Sequence, residues 1–442
     1  MGHYVPHTDA EVADMLASIG LSSVDELFAA VPEALRLAAG DLAVEPGLSE
    51  FDTLARMEAL AAGNRPAGRD LVCFAGGGAY DHDVPAVVRR VAFRSEFVTS
   101  YTPYQPEVAQ GVLQALFEYQ TLICRLTGMD VANASLYDGA SACVEAVNLA
   151  VAATGRQTVW VSQGVHPHWC EVMRTYARGT GHRLVEAPLV GGRTQWPADG
   201  DAPGAVVVAY PNYLGCVEDL SAARPEGALL VVAADPVSLG LLRPPSDYGA
   251  DVVVGEGQPF GTPLSFGGPY LGLFACRQQH VRRLPGRLVG ETVDSEGRRA
   301  YVTTLRTREQ DIRREKASSN VCTNQTLIAV ACTIQLAWLG TAGLRELALQ
   351  CARGARYARE ALLRIDGVTA ASGEAPVVRE FALRTPVSGN VIVERMADEG
   401  FLAGVALGPE SGYDADLLVA VTEKRTRDEI DAYVAAFEKV VR

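Results

Sequence analysis

Five short runs of small and β-branched apolar residues recur between positions 158 and 277: TVWVSQ (158–163), AVVVAYPN (205–212), ALLVVAADP (228–236), ADVVVGEG (250–257) and YLGLFACR (270–277). Their apolar character is continuous rather than alternating, which requires burial on both faces. They therefore predict a mainly parallel sheet with helices on either side, an α/β large domain over 69–323. Before it, DAEVADMLASIG, SVDELFAAVP and LSEFDTLARMEALAAGN carry helical periodicity between Pro and Gly breaks and predict a helical arm over 1–68. A helical stretch at 324–363 leads into VVREFALRT, NVIVERMADEG and DLLVAVTEKRTRDEIDAYVAAFEKVV, which predict a small α/β domain, so that the last region spans 324–442.

A net charge of −14 disfavours nucleic acid and anionic membrane as partners, because phosphate recognition needs clustered positive charge. A small molecule or another protein is the expected partner. No run is expected to reach the ~18 apolar residues of a membrane span, and the N-terminus lacks a basic segment followed by an apolar core. Pro6 stands where a myristoylation signal needs Ser or Thr. Nine cysteines without a CxxC pair predict free thiols in a cytoplasmic protein and no metal centre.

Polar residues collect at the predicted strand ends. LYDGASACVEAVNLAVAA places Asp138, Gly139 and Ser141 at a helix start that can cup a phosphate, or that is simply capped by Asp and Ser. WVSQGVHPHWCEV brings His166 and His168 just past a strand; a ring there can stack on an aromatic ligand or be structural, and a metal would need a third ligand. Asp235 leaves a buried strand and needs a partner, which could be a helix cap, a cation or a protonated ring nitrogen. In chain order, a phosphate cup, a stacking ring and an acid for a pyridinium nitrogen match the fold-type I pyridoxal phosphate enzymes. A Schiff-base lysine should come next. The chain holds three lysines, Lys316, Lys424 and Lys439, and none lies in GADVVVGEGQPFGTPLSFGGPYLG (249–272).

HYVPHT, SSVDELF, GGGAYDHDVPAVV, SYTPYQPEVAQGVLQALFEYQTLICRLTGMDVANASLYDGA and RTREQDIRREKASSNVCTNQ closely resemble the N-terminal half of the glycine decarboxylase P-protein, and in particular its separately encoded alpha subunits. The resemblance spans essentially the whole chain and implies a fold-type I transferase-like fold. It also implies a role in the glycine cleavage system, whose P-protein decarboxylates glycine on pyridoxal phosphate and passes the aminomethyl group to the lipoyl arm of H-protein. In that family the beta subunit carries the lysine. Alignment puts the lysine position near Gln258 or Pro259, so Asp138, Ser141, His166, Asp235 and Gln258 form a degenerate cofactor pocket.

The resemblance further implies a homologous beta subunit, expected as an alpha2beta2 assembly, with the cofactor held covalently by that partner. Tyr101, Tyr104 and Gln105, and likewise Asn320, Thr323 and Asn324 ahead of a long helix that Gln325 adjoins, are the expected partner-site and channel residues. Two other readings stay open: an independent, aminotransferase-like enzyme using Lys316 or noncovalent cofactor, and a purely structural subunit.

Overall fold

The computed structural model describes residues 6–37, 42–99, 102–222, 224–373, 375–408 and 411–442. Contacts divide the chain into two compact units, Met1–Arg65 and Pro66–Arg442. Two helices, α1 (Asp9–Ser18) and α2 (Glu50–Ala61), with 3-10 turns between them, make up the described part of the first unit. Thr8 and Glu11 close a reciprocal capping box at α1, satisfying amides that the helix cannot reach itself. Leu16 is the one buried large hydrophobic residue described in this arm, whereas Ile19, Leu35, Phe51 and Leu60 are exposed.

The second unit is built on seven strands: β1 (Val131–Ala132), β2 (Thr158–Ser162), β3 (Arg183–Ala187), β4 (Ala205–Tyr210), β5 (Leu229–Ala234), β6 (Val252–Glu256) and β7 (Gly272–Cys276). Their order is β1-β7-β6-β5-β4-β2-β3. β2 to β6 pair in parallel, and β7 alone runs antiparallel to both its neighbours. Successive strand residues face opposite cores. Val206, Val208, Leu230, Val232 and Val253 join one cluster, with Leu113, Leu116 and Ile123 of α3 (Gln110–Thr127). Ala205, Val207, Val231, Val252 and Val254 join the other, with Ala142, Val147 and Ala150 of α4 (Gly139–Thr154). Each buried valine contributes roughly 1.5–3 kcal/mol of apolar transfer, which is why the sequence can spend whole strands on them.

Among the described elements, α5 (Pro167–Thr180) follows β2, and the run Thr326–Leu362, here α6, follows the large sheet. By length and hydropathy α6 could cross a membrane, which corrects the expectation that no such run exists. Its apolar face is used inside the fold: Ala329, Cys332 and Leu336 pack in the same cluster as α3. The run also breaks at Gly340, whose φ of 58° is one that glycine adopts without strain.

A four-stranded sheet follows, from β8 (Thr369–Ala370), β9 (Glu380–Arg384), β10 (Val405–Ala406) and β11 (Leu417–Ala420), in the order β8-β9-β11-β10. Phe381, Leu383 and Val419 on one face pack with Ile392 and Met396 of α7 (Gly389–Asp398) and with Tyr433 and Phe437 of α8 (Arg427–Val441).

Candidate functional site

The carboxyl ends of β4, β5 and β6 open on a cleft that is the expected ligand position in a sheet of this topology. Its walls include Tyr80, His166, Trp169, Asn212, Asp235, Glu256, Pro259, Arg379 and Glu380. Three of the sequence candidates therefore meet here: His166 and Asp235 line the cleft, and Asp138 caps the helix that faces it.

The start of α4 is already filled with carboxylate. Asp138 Oδ1 accepts from the Ser141 amide at 2.7 Å, and Glu256 Oε2 accepts from the Gly139 amide at 2.9 Å. Glu256 Oε1 takes two more amides, those of Gln258 and Leu271, each at 2.9 Å. Burial pushes the Glu256 carboxyl up to about 7 against the pull of these three bonds. The Trp169 ring covers Gly139 so closely that a Cβ there would lie 2.2 Å from the indole.

Gln258, which with Pro259 stands where the lysine is expected, is wholly buried. Its Oε1 accepts from the Tyr80 amide at 3.0 Å, while Nε2 donates to the Tyr80 carbonyl at 3.1 Å and to the Thr262 carbonyl at 2.8 Å. A carboxamide gives and accepts at once, whereas a lysine ammonium has no acceptor for the Tyr80 N–H.

His166 is pinned in the same way. Its Nε2 hydrogen goes to the Gly77 carbonyl at 2.7 Å, and Nδ1 accepts from the His168 amide at 3.1 Å, capping α5. Burial, with the cationic form of His168 nearby, holds the ring down to about 4, so it is neutral. Its face lies nearly parallel to Trp169, 6.1 Å between centroids. His168 itself is exposed.

Asp235 has its partner, and the partner is not a ring nitrogen. Arg379 Nη2 reaches Asp235 Oδ1 at 2.7 Å, and Ser238 and Val237 also donate to this carboxylate. The Arg379 guanidinium, 4% exposed along its side chain, lies 3.4 Å over the Tyr80 ring and donates Nη1 to His82 Nε2. An arginine can only donate, so Nε2 of His82 accepts and Nδ1 carries the hydrogen given to Glu423 at 2.6 Å. His82, Cys351 and Glu423 have ligand atoms within 4.8 Å of one another, but that hydrogen leaves no ring lone pair facing the trio for a cation. Glu380 completes the wall, accepting from the Gly77 amide at 2.6 Å and from the Tyr80 hydroxyl at 2.8 Å. Burial raises its carboxyl to about 7.

These residues do not fit a pyridoxal phosphate. Carboxylates hold the amides at the helix start, an arginine holds the acid, and the Gln258 carboxamide, next to Pro259 in the stretch where a lysine is expected, is clasped to Tyr80. Lys316 is exposed, Lys424 pairs with Asp81 at 2.6 Å, and Lys439 pairs with Glu399, so none of the three lines the cleft.

Tyr80, His82, Glu256, Arg379, Glu380 and Glu423 were absent from the sequence candidates. A signal existed in GGGAYDHDVP, where glycines lead into Tyr, Asp and His, and in VVREFALR, where an Arg-Glu pair interrupts an apolar run.

The expected partner-site residues lie elsewhere on the second unit. Tyr101 lies outside the described residues. Tyr104 is 42% exposed and its hydroxyl accepts from Arg287 Nη2 at 3.0 Å. Gln105 and Asn320 are exposed. Thr323 Oγ1 lies 3.3 Å from the Tyr137 hydroxyl. Asn324 turns inward: Oδ1 accepts from Arg287 at 2.8 Å and Nδ2 donates to the Ala134 carbonyl at 2.7 Å. Ser135 Oγ also accepts from the Gln325 amide at 3.2 Å.

The parallel sheet, its single antiparallel strand and the cleft at the strand ends define the fold-type I class of pyridoxal phosphate enzymes. A cysteine desulfurase, CsdA from Escherichia coli, shares this fold at a TM-score of 0.58 and 17% identity. The glycine cleavage system P-protein family model matches residues 2–437, and the chain belongs to that family. The chain is 48% identical to a probable glycine dehydrogenase (decarboxylating) subunit 1 of Desulforamulus reducens, covering 98% of each chain. It is likewise 48% identical to the protein of the same description from Moorella thermoacetica, over 99% of each. It superposes on an inhibitor-bound crystal structure of glycine decarboxylase (P-protein) of the glycine cleavage system with a TM-score of 0.93 and 46% identity, covering 99% of this chain and 100% of that one.

Two substitutions test the cleft. Gln258→Lys puts an ammonium without an acceptor partner into a buried site and is expected to lower stability by about 3 kcal/mol in denaturant melts. Unchanged stability would show that the cleft still accommodates a lysine. Glu380 binds its proton more tightly folded than unfolded, so its contribution to stability is fullest below about pH 4.5 and is lost as pH rises towards about 7. Glu380→Gln should remove about 1–3 kcal/mol of the loss seen between pH 4.5 and 7, measured by melts across that range; an identical pH slope would show that Glu380 does not titrate there.

Proposed function

We propose that this chain is the non-anchoring half of a two-chain glycine decarboxylase of the glycine cleavage system, completing the active site of a homologous beta subunit in an alpha2beta2 assembly. The beta subunit carries pyridoxal phosphate on its lysine, glycine is the substrate, and lipoylated H-protein receives the aminomethyl group. We place the assembly in the cytoplasm, and we read residues 69–323 and 324–442 as its large and small domains. The observation that carries this reading is the self-filled cleft: a chain that the P-protein family model matches over residues 2–437 has Gln258 clasped to Tyr80 and Glu256 on the helix start. A chain built so contributes surfaces to another chain's site.

The arm supports a permanent partner. Phe51 is 80% exposed and Leu54 56% exposed on α2, and apolar side chains displayed along a helix mark a surface that another protein covers. Phe51→Ala with Leu54→Ala should leave the thermal melt of the isolated chain unchanged and weaken its association with the beta chain at least about tenfold, read by sedimentation. Equal association would remove the arm from the interface.

The inward bonds of Asn324 favour a second reading, a subunit that only stabilises its partner. Assay with glycine and lipoylated H-protein, with and without the beta chain, tests the main proposal: turnover should require both chains. Borohydride reduction of the isolated chain with pyridoxal phosphate, followed by peptide mapping, should leave no specific pyridoxyl label. A stoichiometric label on Lys316, or turnover by this chain alone, would make it an independent enzyme.

A further inference from the structure

The segment 305–316, LRTREQDIRREK, holds five basic and three acidic residues in a chain of net charge −14. One of its arginines, Arg306, meets Arg287 at the Tyr104 ring beside residues 322–324, and Arg308 follows two positions later in the chain. The Arg287 and Arg306 Cζ atoms lie 5.1 and 4.6 Å from the Tyr104 ring centroid. Arg287, Arg306 and Arg308 all act electrostatically on the Glu309 carboxyl.

Among the described residues, the donors of this cluster are not used up. Arg308 is 8% exposed; its Nη1 donates to the Leu284 carbonyl, while Nε and Nη2 are buried without an acceptor. Arg287 is 5% exposed; its two terminal nitrogens bond Asn324, Tyr104 and Cys322, while Nε has no acceptor. Arg306 pairs with Asp311 at 2.9 Å and its Nε is likewise buried and unpaired. Glu309 offsets part of the charge, with one buried oxygen that makes no hydrogen bond. Three guanidinium groups against two carboxylates leave the cluster positive. Guanidinium groups stay protonated and can only donate, so buried donors without acceptors call for an oxyanion, which their planar fork fits.

We propose that Arg287, Arg306 and Arg308 form an oxyanion clamp that takes a phosphate or carboxylate group of the ligand bound in the partner chain's site. This rests on the two-chain reading above. The cofactor's phosphate and the substrate's carboxylate are the two sources of such a group.

The isolated full-length chain is first titrated calorimetrically with inorganic phosphate. Saturable binding is expected, weakened about tenfold in Arg306→Gln, a change at a partly exposed side chain. It should weaken also in Arg308→Lys, which keeps the charge but loses the fork. In the reconstituted two-chain enzyme, Arg306→Gln raises the pyridoxal phosphate Kd if the clamp holds the phosphate. If it holds the carboxylate, the variant raises the glycine KM at unchanged cofactor Kd. A shift in either constant supports the clamp. Both constants unchanged in the assembled Arg306→Gln enzyme overturn it, whether or not association between the chains is weaker, as does phosphate binding that ignores both substitutions. Arginine-dependent phosphate binding by a chain that does not associate with the beta subunit would sink the two-chain reading and leave the clamp standing.

Discussion

A single buried guanidinium joins the two sheets of the second unit. Arg379 stands at the entrance to β9 of the small sheet and pairs with Asp235 at the exit of β5 in the large one. It lies on Tyr80 and passes the connection through His82 to Glu423, just past β11. A charge buried this deeply is tolerated because both terminal nitrogens find acceptors; removing one partner strands the other group, at a cost of about 3–5 kcal/mol. Burial holds His82 below its usual range, and the one-way donation from Arg379 fixes which of its nitrogens carries the hydrogen. The network therefore has one arrangement, and the loop 76–85 that threads it has one path.

That path decides what the cleft can be. Tyr80 reaches Gln258 through its backbone and Glu380 through its hydroxyl, so the loop plugs the space in front of β6. Glu256 comes from the last position of β6 and lies on the first amide of α4. A helix start that would attract an anion from solution is satisfied from within the chain, by a carboxyl whose own charge is suppressed by burial. The architecture of a cofactor enzyme persists because the sheet and its two apolar faces need it, independently of whether the strand ends still hold a ligand.

Much of the frame was legible because it follows from local periodicity. Runs such as AVVVAY and DVVVGE admit no other role than strands buried on both faces, and all five predicted strands occur. The short strands β1 and β3 were missed: two residues give no period, and RLVEA has a half-exposed edge pattern. The membrane-length run in α6 was missed because Gly340 and scattered polar residues conceal its mean hydropathy.

Composition and order within the chain determined that the protein has a fold-type I frame, that it belongs with the P-proteins, and that no lysine stands where the anchor should be. Tertiary structure alone decided what fills that place. Tyr80 and Gln258 are 178 positions apart, Tyr80 and Glu380 300, and Arg379 and Asp235 144. Hydrogen bonds and ion pairs depend on distances of a few ångströms, and no local pattern encodes which distant polar groups folding brings within that reach. The same holds for Asn324, whose place before a long helix suggested an outward cap and whose half-buried side chain instead bonds Arg287 and the Ala134 carbonyl.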